Sequence, residues 1–134
     1  MRLVLAGLAV CALLSGCGLN VQSPDLFLLT RTEPGRSLTL LVSDGGTIRC
    51  NAGKSRSLSD PLLIRARALA SDLDDDAKQS LRIAPGPRSV ARYTIKLQDG
   101  TISFPDTAAA THHELAEAEL FALQAAQQAC GLAG

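Results

Sequence analysis

Short stretches of the chain alternate apolar and polar residues, and this alternation predicts β-strands. Residues 93–97 alternate strictly, Asp99-Gly100 follows, and residues 101–104 place Ile102 and Phe104 on one face. Successive side chains of a strand point to opposite faces of a sheet, and an Asp-Gly pair is typical of a tight turn between antiparallel strands. We therefore predict a β-hairpin over residues 93–104.

A second hairpin is predicted nearer the start of the chain. Residues 38–43 and 47–50 flank Asp44-Gly45-Gly46, whose glycines accept the positive φ of a tight turn. We expect a further strand over residues 26–32 and a loop over residues 51–59. Strand 26–32 is predicted to lie at an edge of the sheet, where an extended peptide can add as another strand.

Two longer stretches have the apolar spacing of helices. The first begins near residue 60, where Ser59 or Asp60 can cap the helix and Pro61 suits its first turn. Its predicted apolar face comprises Leu62, Leu63, Ala66, Leu69, Ala70 and Leu73. After it come an acidic run, a short helix to Leu81 and a break at the Pro-Gly sequence of residues 84–87.

The second long helix is predicted over residues 111–130. Thr111 and Glu114 have the spacing of a capping box, alanine and leucine fill the body, and Gly131 ends the helix. The element order is then β-β-β-α-β-β-α. This order predicts an α+β fold, an antiparallel sheet of about five strands with two helices packed on one face, as a single domain over residues 25–134.

A short internal echo accompanies this order. The turn and strand start at residues 44–48 resemble those at residues 99–102, and each hairpin precedes an amphipathic helix. The echo indicates a repeated strand, turn, strand and helix unit, or a chance recurrence of common turn residues.

The first sixteen residues have the pattern of a secretory signal. Arg2 supplies a positive charge, residues 3–14 are almost entirely apolar, and Ser15-Gly16 are small residues suited to a peptidase cut. The apolar run is shorter than the roughly 20 residues of a membrane-spanning helix. Export followed by cleavage is therefore the expectation.

Leu14-Ser15-Gly16-Cys17 resembles the lipobox of bacterial lipoproteins. The resemblance implies a signal peptide at residues 1–16, a lipid anchor such as palmitate on Cys17, and a short tether over residues 17–24. The domain would then lie outside the cytoplasm, anchored to the cell membrane or outer membrane. In a Gram-negative host, Gly18 after the cysteine favours the outer membrane.

Four cysteines are present in the whole chain. Cys11 leaves with the signal peptide and Cys17 takes the lipid, so Cys50 and Cys130 remain. An oxidising compartment favours a disulfide between them, with two buried thiols as the alternative. No zinc site is expected, because the two cysteines and the adjacent histidine pair lie far apart in the sequence.

The charge and composition exclude several function classes. The 13 basic and 13 acidic side chains give a net charge of zero, so no global field attracts nucleic acid. One Tyr, three Phe and no Trp leave few surfaces on which bases can stack. We expect neither a nucleic-acid partner nor a cofactor.

Catalytic and metal-binding patterns are incomplete. Asp72, Asp74 and Asp76 have the first spacing of a calcium loop, but Ala77 and Ile83 stand where glycine and glutamate are needed. His112 and His113 are adjacent, so their rings diverge by about 100° on a helix and cannot chelate one ion. The chain is therefore expected not to be an enzyme, with a small hydrolase using His112 or His113 as the alternative.

Basic residues cluster early in the chain. Arg49, Lys54 and Arg56 form the candidate binding surface. The alternative is that they belong to ordinary solvated surface, because no aromatic residues are interleaved with them.

The C-terminal half resembles emfourin, a family of small bacterial inhibitors of thermolysin-like metalloproteases. The resemblance covers about a third of the chain: residues 93–97, the Asp99-Gly100 turn, residues 104–106 and the closing helix. It identifies no inhibitory residue and does not cover the lipobox or the cysteine pair. We expect a non-catalytic envelope module that binds a protein or peptide, with an emfourin-like protease inhibitor as the alternative.

Overall fold

The computed structural model describes Val21 and residues 24–132. The predicted signal peptide, Cys17 and most of the predicted tether lie outside these residues. The described chain is an α+β domain with one antiparallel sheet, which confirms the predicted fold class. The elements are, in chain order, β1 (Asp25–Glu33), β2 (Arg36–Ser43), β3 (Thr47–Cys50), β4 (Ser55–Ser57), α1 (Asp60–Asp72), α2 (Asp74–Lys78), β5 (Arg92–Leu97), β6 (Gly100–Pro105), a 3₁₀ helix (Asp106–Ala110) and α3 (His113–Gln128).

The sheet has six strands in the order β4-β3-β2-β1-β5-β6, so β1 lies near its centre. The prediction that strand 26–32 is an edge was wrong. β1 pairs with β2 on one side, and on the other with β5, which is distant in sequence. Alternation within a strand reveals which residues face the core but not which distant strand pairs beside it.

The two edge strands of the sheet, β4 and β6, have different surroundings. β4 is short and exposed and was predicted as loop, because its Ser-Arg-Ser sequence has no apolar residue to indicate a strand. Beside β6, the Ile83 N–H donates to the Ser103 carbonyl over 2.9 Å, and the Ser103 N–H donates to the Leu81 carbonyl over 3.0 Å. Residues 81–83 therefore cover part of the β6 edge.

The core lies between one face of the sheet and the helices. Alternate residues of β1, Phe27 and Leu29, are fully buried, and the Phe27 ring packs edge-on against Phe121 of α3 with centroids 5.6 Å apart. From α1, Leu62, Ala66 and Leu69 enter the same core, as the helical spacing predicted. One face of the sheet and the apolar faces of α1 and α3 thus pack against each other in a single core.

The start of α3 differs from the prediction. The helix begins at His113 with His112 as its N-cap, and no side chain caps it. Thr111 instead belongs to the end of the preceding 3₁₀ helix, where its hydroxyl donates to the Ala108 carbonyl over 3.4 Å. The capping box proposed for Thr111 and Glu114 was therefore wrong. At the other end, Gly131 has a φ of +66° and ends the helical path as predicted.

The hairpin predicted over residues 93–104 is present, but its turn is Gln98-Asp99, and Gly100, which was predicted in the turn, is the first residue of β6 and pairs with Leu97. Gly35, Gly46 and Gly131 are the described glycines with positive φ, and Gly100 is not among them. A Cβ at Gly100 would instead overlap the backbone carbonyl of Ala77 in α2. Glycine is required here because α2 packs directly on the start of β6.

A disulfide joins Cys50 and Cys130, as predicted, with their Cα atoms 5.9 Å apart. It ties the end of β3 to the residues after α3. Because the two cysteines are 80 residues apart, the bridge removes chain entropy from the unfolded state and stabilises the fold by about 4 kcal/mol in the chain-entropy account. The bridge fixes the C-terminal end of α3 against the sheet.

Candidate functional site

A cavity of about 640 Å³ lies between the sheet and the C-terminal half of α3. One wall comes from β1, the start of β2 and β5, and contributes Arg31, Glu33, Arg36, Leu38 and Tyr93. The other wall comes from α3 and the residue that follows its end turn, and contributes Glu119, Ala122, Leu123, Ala126 and Leu132. We call this space the α3 cavity.

The register of the sheet determines which residues form the polar wall of the α3 cavity. Arg31 and Glu33 follow Phe27 and Leu29 at alternate positions of β1, so they face the same side as the core. Arg31 lies directly between Leu38 of β2 and Tyr93 of β5. Charged residues thus occupy core-facing strand positions at the end of the sheet near the β1–β2 turn.

The helical wall is mostly apolar. Ala122 and Ala126 are small and buried, so they bring the helix surface close to the cavity without filling it. Leu123 and Leu132 are exposed in 46% and 38% of their surface. Large apolar side chains that stay partly open beside a concavity are typical of binding sites.

Glu33 bridges two guanidinium groups at the polar wall. Arg31 Nη2 lies 3.1 Å from Glu33 Oε2, and Arg36 Nε lies 2.7 Å from Glu33 Oε1. One carboxylate between two arginines leaves a surplus of positive charge. The pairs hold Arg31 in place at the cavity wall.

Two buried polar atoms at the cavity have no hydrogen-bond partner among the described residues. They are Arg31 Nε, a donor, and Glu119 Oε1, an acceptor. A buried polar atom without a partner costs about 1–3 kcal/mol, so both side chains are costly at this end of the core. Because these two atoms are closed to solvent, a ligand in the cavity would meet the accessible parts of the same side chains.

The cavity also shifts the protonation of Glu119. Burial raises the pKa of the Glu119 carboxyl to about 7; the negative charge of Asp106 adds to the rise and the positive charge of Arg31 opposes it. Burial likewise raises the pKa of Tyr93, an effect that Arg31 partly offsets. Near neutral pH Glu119 therefore exists in both forms, while the phenol of Tyr93 stays neutral.

Asp106 remains ionised beside this site. Burial alone would raise its pKa, but hydrogen bonds from the backbone of Val90 and Ala91 and from the Ser89 side chain lower it overall. Both backbone N–H groups lie 3.2 Å from the carboxylate. Asp106 is thus a fixed negative charge that disfavours ionisation of Glu119.

The predicted basic surface is divided by the sheet. Arg49 pairs with Ser55 in the register of β3 and β4, whereas Arg56 pairs with the buried Ile48. Arg49 and Arg56 therefore point to opposite faces. Arg49 Nε donates to the Gly53 carbonyl over 3.0 Å, which holds the turn containing Lys54. The structure does not bring these three basic residues together as one patch.

The histidines lie at the start of α3, away from the α3 cavity. His112 Nδ1 is 3.0 Å from the Thr111 hydroxyl, and His113 is 89% exposed with Nε2 3.9 Å from Glu117 Oε1. The adjacent rings have separate surroundings, and the hydrolase alternative for His112 and His113 stays a prediction.

The acidic run is helical rather than a calcium loop. Asp72 ends α1, and Asp74 begins α2, where it pairs with Lys78 over 2.6 Å. Asp76 is partly buried beside Glu114. Burial is the main cause that raises the pKa of Asp76, and the nearby Glu114 carboxyl raises it further. Within Val21 and residues 24–132, no group of three or more His, Cys, Asp or Glu side chains could hold a metal ion.

The sequence analysis missed Arg31, Glu33, Tyr93 and Glu119 as site residues. A signal was present: Arg31 and Glu33 continue the core-facing register of β1, and Glu119 lies on the apolar face of α3, four residues after the buried Leu115. Ionisable side chains at core-facing positions require partners or a cavity.

No protein-family model, curated protein or solved structure matches the chain. The resemblances to the lipobox and to emfourin therefore stay predictions. In the part of the chain that the structure describes, no helix has both the length and the apolar character needed to cross a membrane.

Proposed function

We propose that the chain is a lipid-anchored envelope lipoprotein whose domain binds a peptide in the α3 cavity and does not catalyse a reaction. The observation that supports this role is the cavity itself, in which the polar side chains of Arg31, Glu33 and Glu119 line the same space as an apolar helix wall. A peptide group presents both a carbonyl acceptor and an N–H donor. An attached apolar side chain would pack against Leu123 and Leu132.

The size of the cavity fits this role. A volume of about 640 Å³ lies within the range of roughly 300–1,000 Å³ that small-ligand sites occupy. Its mixture of an apolar wall and few polar groups suits a ligand that is held by packing and oriented by hydrogen bonds.

The position of the cavity also fits a membrane-anchored domain. The proposed lipid on Cys17 would precede β1, and the seven residues between Cys17 and Asp25 reach only about 15 Å. β1 then runs nine residues, or about 30 Å, from Asp25 to Glu33 at the cavity wall. The cavity would lie at the end of the strand remote from the membrane, where peptides in the aqueous space can enter.

Leu123 provides the test of peptide binding in the cavity. We expect Leu123→Lys to weaken binding of peptides selected from a random display library by at least about tenfold, because a lysine would place charge on the apolar wall. The full chain, purified in detergent from bacterial membranes, would be titrated with each peptide by fluorescence polarisation.

Leu120→Lys is the matched control. Leu120 is on the same helix and is 40% exposed, close to the 46% of Leu123, but it does not line the cavity. Binding that falls for Leu123→Lys and persists for Leu120→Lys supports the proposal. Equal binding by both variants, or a library that yields no binder, would contradict it.

A further inference from the structure

The ionisable groups around the α3 cavity favour an anionic ligand group. Arg31 and Arg36 share the single carboxylate of Glu33, which leaves one positive charge in surplus. The Arg31 guanidinium donates to Glu33 through Nη2, and its side chain is 32% exposed at the cavity, so it remains a donor for a ligand. A carboxylate oxygen is the strongest common acceptor for such a donor, because the hydrogen bond is charge-assisted.

We propose that the α3 cavity binds the carboxylate of an apolar ligand, with one oxygen accepting from the Arg31 guanidinium and another accepting from the Glu119 carboxyl in its protonated form. The apolar part of the ligand packs against Ala122, Leu123 and Ala126 of α3. This inference rests on the proposed binding role of the cavity and adds the chemical class of the ligand.

Glu119 is suited to the second contact. An ionised Glu119 would repel a bound carboxylate, whereas a protonated Glu119 donates its O–H to it. Burial already raises the pKa of Glu119 to about 7, so little free energy is needed to protonate it at neutral pH. The ligand's negative charge would raise the pKa of Glu119 further, so binding takes up a proton.

The other groups facing Glu119 are consistent with this coupling. Arg31 on β1 favours the ionised form, Asp106 before α3 favours the protonated form, and Tyr93 on β5 is neutral at this pH. Glu33 and Arg36 form one pair at the cavity wall and contribute opposite charges. We therefore expect affinity for a carboxylate to increase about fivefold as the pH falls from 8 to 6.

Two sources present this chemistry: the C-terminal end of a peptide with an apolar last residue, and a free fatty acid. The probes separate them. For the peptide, acetyl-Ala-Ala-Leu with a free carboxylate is compared with its C-terminal amide. For the fatty acid, decanoic acid is compared with decanol. Each ligand is titrated calorimetrically into the full chain in detergent at pH 6 and pH 8.

The expected result is that the free acid binds at least about tenfold more tightly than its uncharged counterpart at pH 6, the scale of one charge-assisted hydrogen bond. Arg31→Met should abolish this preference, and Arg31→Lys should retain only part of it, because lysine keeps the charge but not the planar set of guanidinium N–H donors. Glu119→Gln should keep the preference and lose the pH dependence.

Arg92→Met is the matched control for Arg31→Met. Arg92 is also partly buried on the sheet, but it precedes Tyr93 and so faces the opposite side. It should bind like the wild type. If Arg31→Met does not fold, the acid and amide comparison on the wild type still tests the inference without any variant.

The outcomes separate this inference from the proposed function. Equal binding of acetyl-Ala-Ala-Leu acid and amide would overturn the carboxylate site while leaving peptide binding intact. Binding of decanoic acid alone, dependent on Arg31, would support the carboxylate site and contradict the peptide role. A preference for acids that does not change between pH 6 and pH 8 would overturn the part assigned to Glu119.

Discussion

Arg31 and Glu119 are placed where the fold would ordinarily bury apolar side chains. Arg31 continues the register of Phe27 and Leu29 on β1, and Glu119 faces the sheet from α3. Each leaves one buried polar atom without a hydrogen-bond partner among the described residues. Such positions reduce the stability of the domain.

The pH dependence of stability tests the surroundings of Glu119. The pKa of the Glu119 carboxyl is higher in the folded chain than its ordinary value of 4.5. The stabilisation of the fold that results from this difference is complete below 4.5 and is lost as the pH rises through about 7. The carboxyl is only partly buried and solvent screens it, so the loss should be about 1–2 kcal/mol.

Glu119→Gln cannot ionise and should remove this loss. Urea unfolding of wild type and variant at pH 5 and pH 8 should show the variant gaining about 1–2 kcal/mol relative to the wild type at pH 8. The difference between the two proteins isolates Glu119 from the other titrating groups. A stability difference that is the same at both pH values would show that Glu119 titrates normally.

The contact between α2 and β6 depends on a glycine. Because a Cβ at Gly100 would overlap the Ala77 carbonyl, Gly100→Ala must push α2 away from the sheet. We expect a loss of about 1–3 kcal/mol in the free energy of unfolding, measured by urea denaturation.

Gly86→Ala is the control for this substitution. A Cβ at Gly86 would meet no atom within 4 Å, and its φ is not positive. We expect Gly86→Ala to change the free energy of unfolding by less than about 0.5 kcal/mol. Equal effects at Gly86 and Gly100 would contradict the account of close packing.

Most helices and strands could be predicted from the sequence, but the order in which the strands pair in the sheet could not. Alternation identified the strands that carry apolar residues, and helical spacing identified the buried face of α1. β4 was missed because none of its three residues is apolar. The central place of β1 was missed because it depends on pairing with β5, more than fifty residues later.

The candidate site illustrates the same limit. Arg31, Tyr93 and Glu119 each lie on an element that the sequence predicted, yet these three elements are distant in sequence. Their meeting depends on the order of strands and on where α3 crosses the sheet. The basic cluster at Arg49 and Arg56 was close in sequence, but the alternation of paired strands separates its side chains.

On the scale of the whole molecule, the α3 cavity lies at the C-terminal end of β1, and the proposed anchor at Cys17 would precede the N-terminal end of this strand. The disulfide holds the C-terminal end of α3 to the sheet, close to Asn51, which also lines the cavity. The cavity is lined mainly by residues of β1, β2, β5 and α3, together with Leu132 after α3. This arrangement fits the proposed role of a receptor whose binding site projects from a membrane surface.

Lipidation at Cys17 is the prediction that belongs to this scale. A clickable palmitate analogue should label the wild-type chain in growing bacteria and leave Cys17→Ser unlabelled, because the thiol of Cys17 is the proposed attachment point. Cys11→Ser is the control and should be labelled like the wild type. Labelling of Cys17→Ser would contradict the lipid anchor.

Binding in the α3 cavity is tested most directly by the nuclear magnetic resonance signal of the Arg31 Nε–H group. The ¹⁵N-labelled full chain in detergent would be titrated with the tightest peptide from the library. We predict that the Arg31 Nε–H resonance and the backbone amides of Glu119 and Leu123 shift together with the binding isotherm. Shifts confined to His112 and His113, or to the surface around Arg49 and Arg56, with the Arg31 resonance unchanged, would contradict the assignment of this cavity as the binding site.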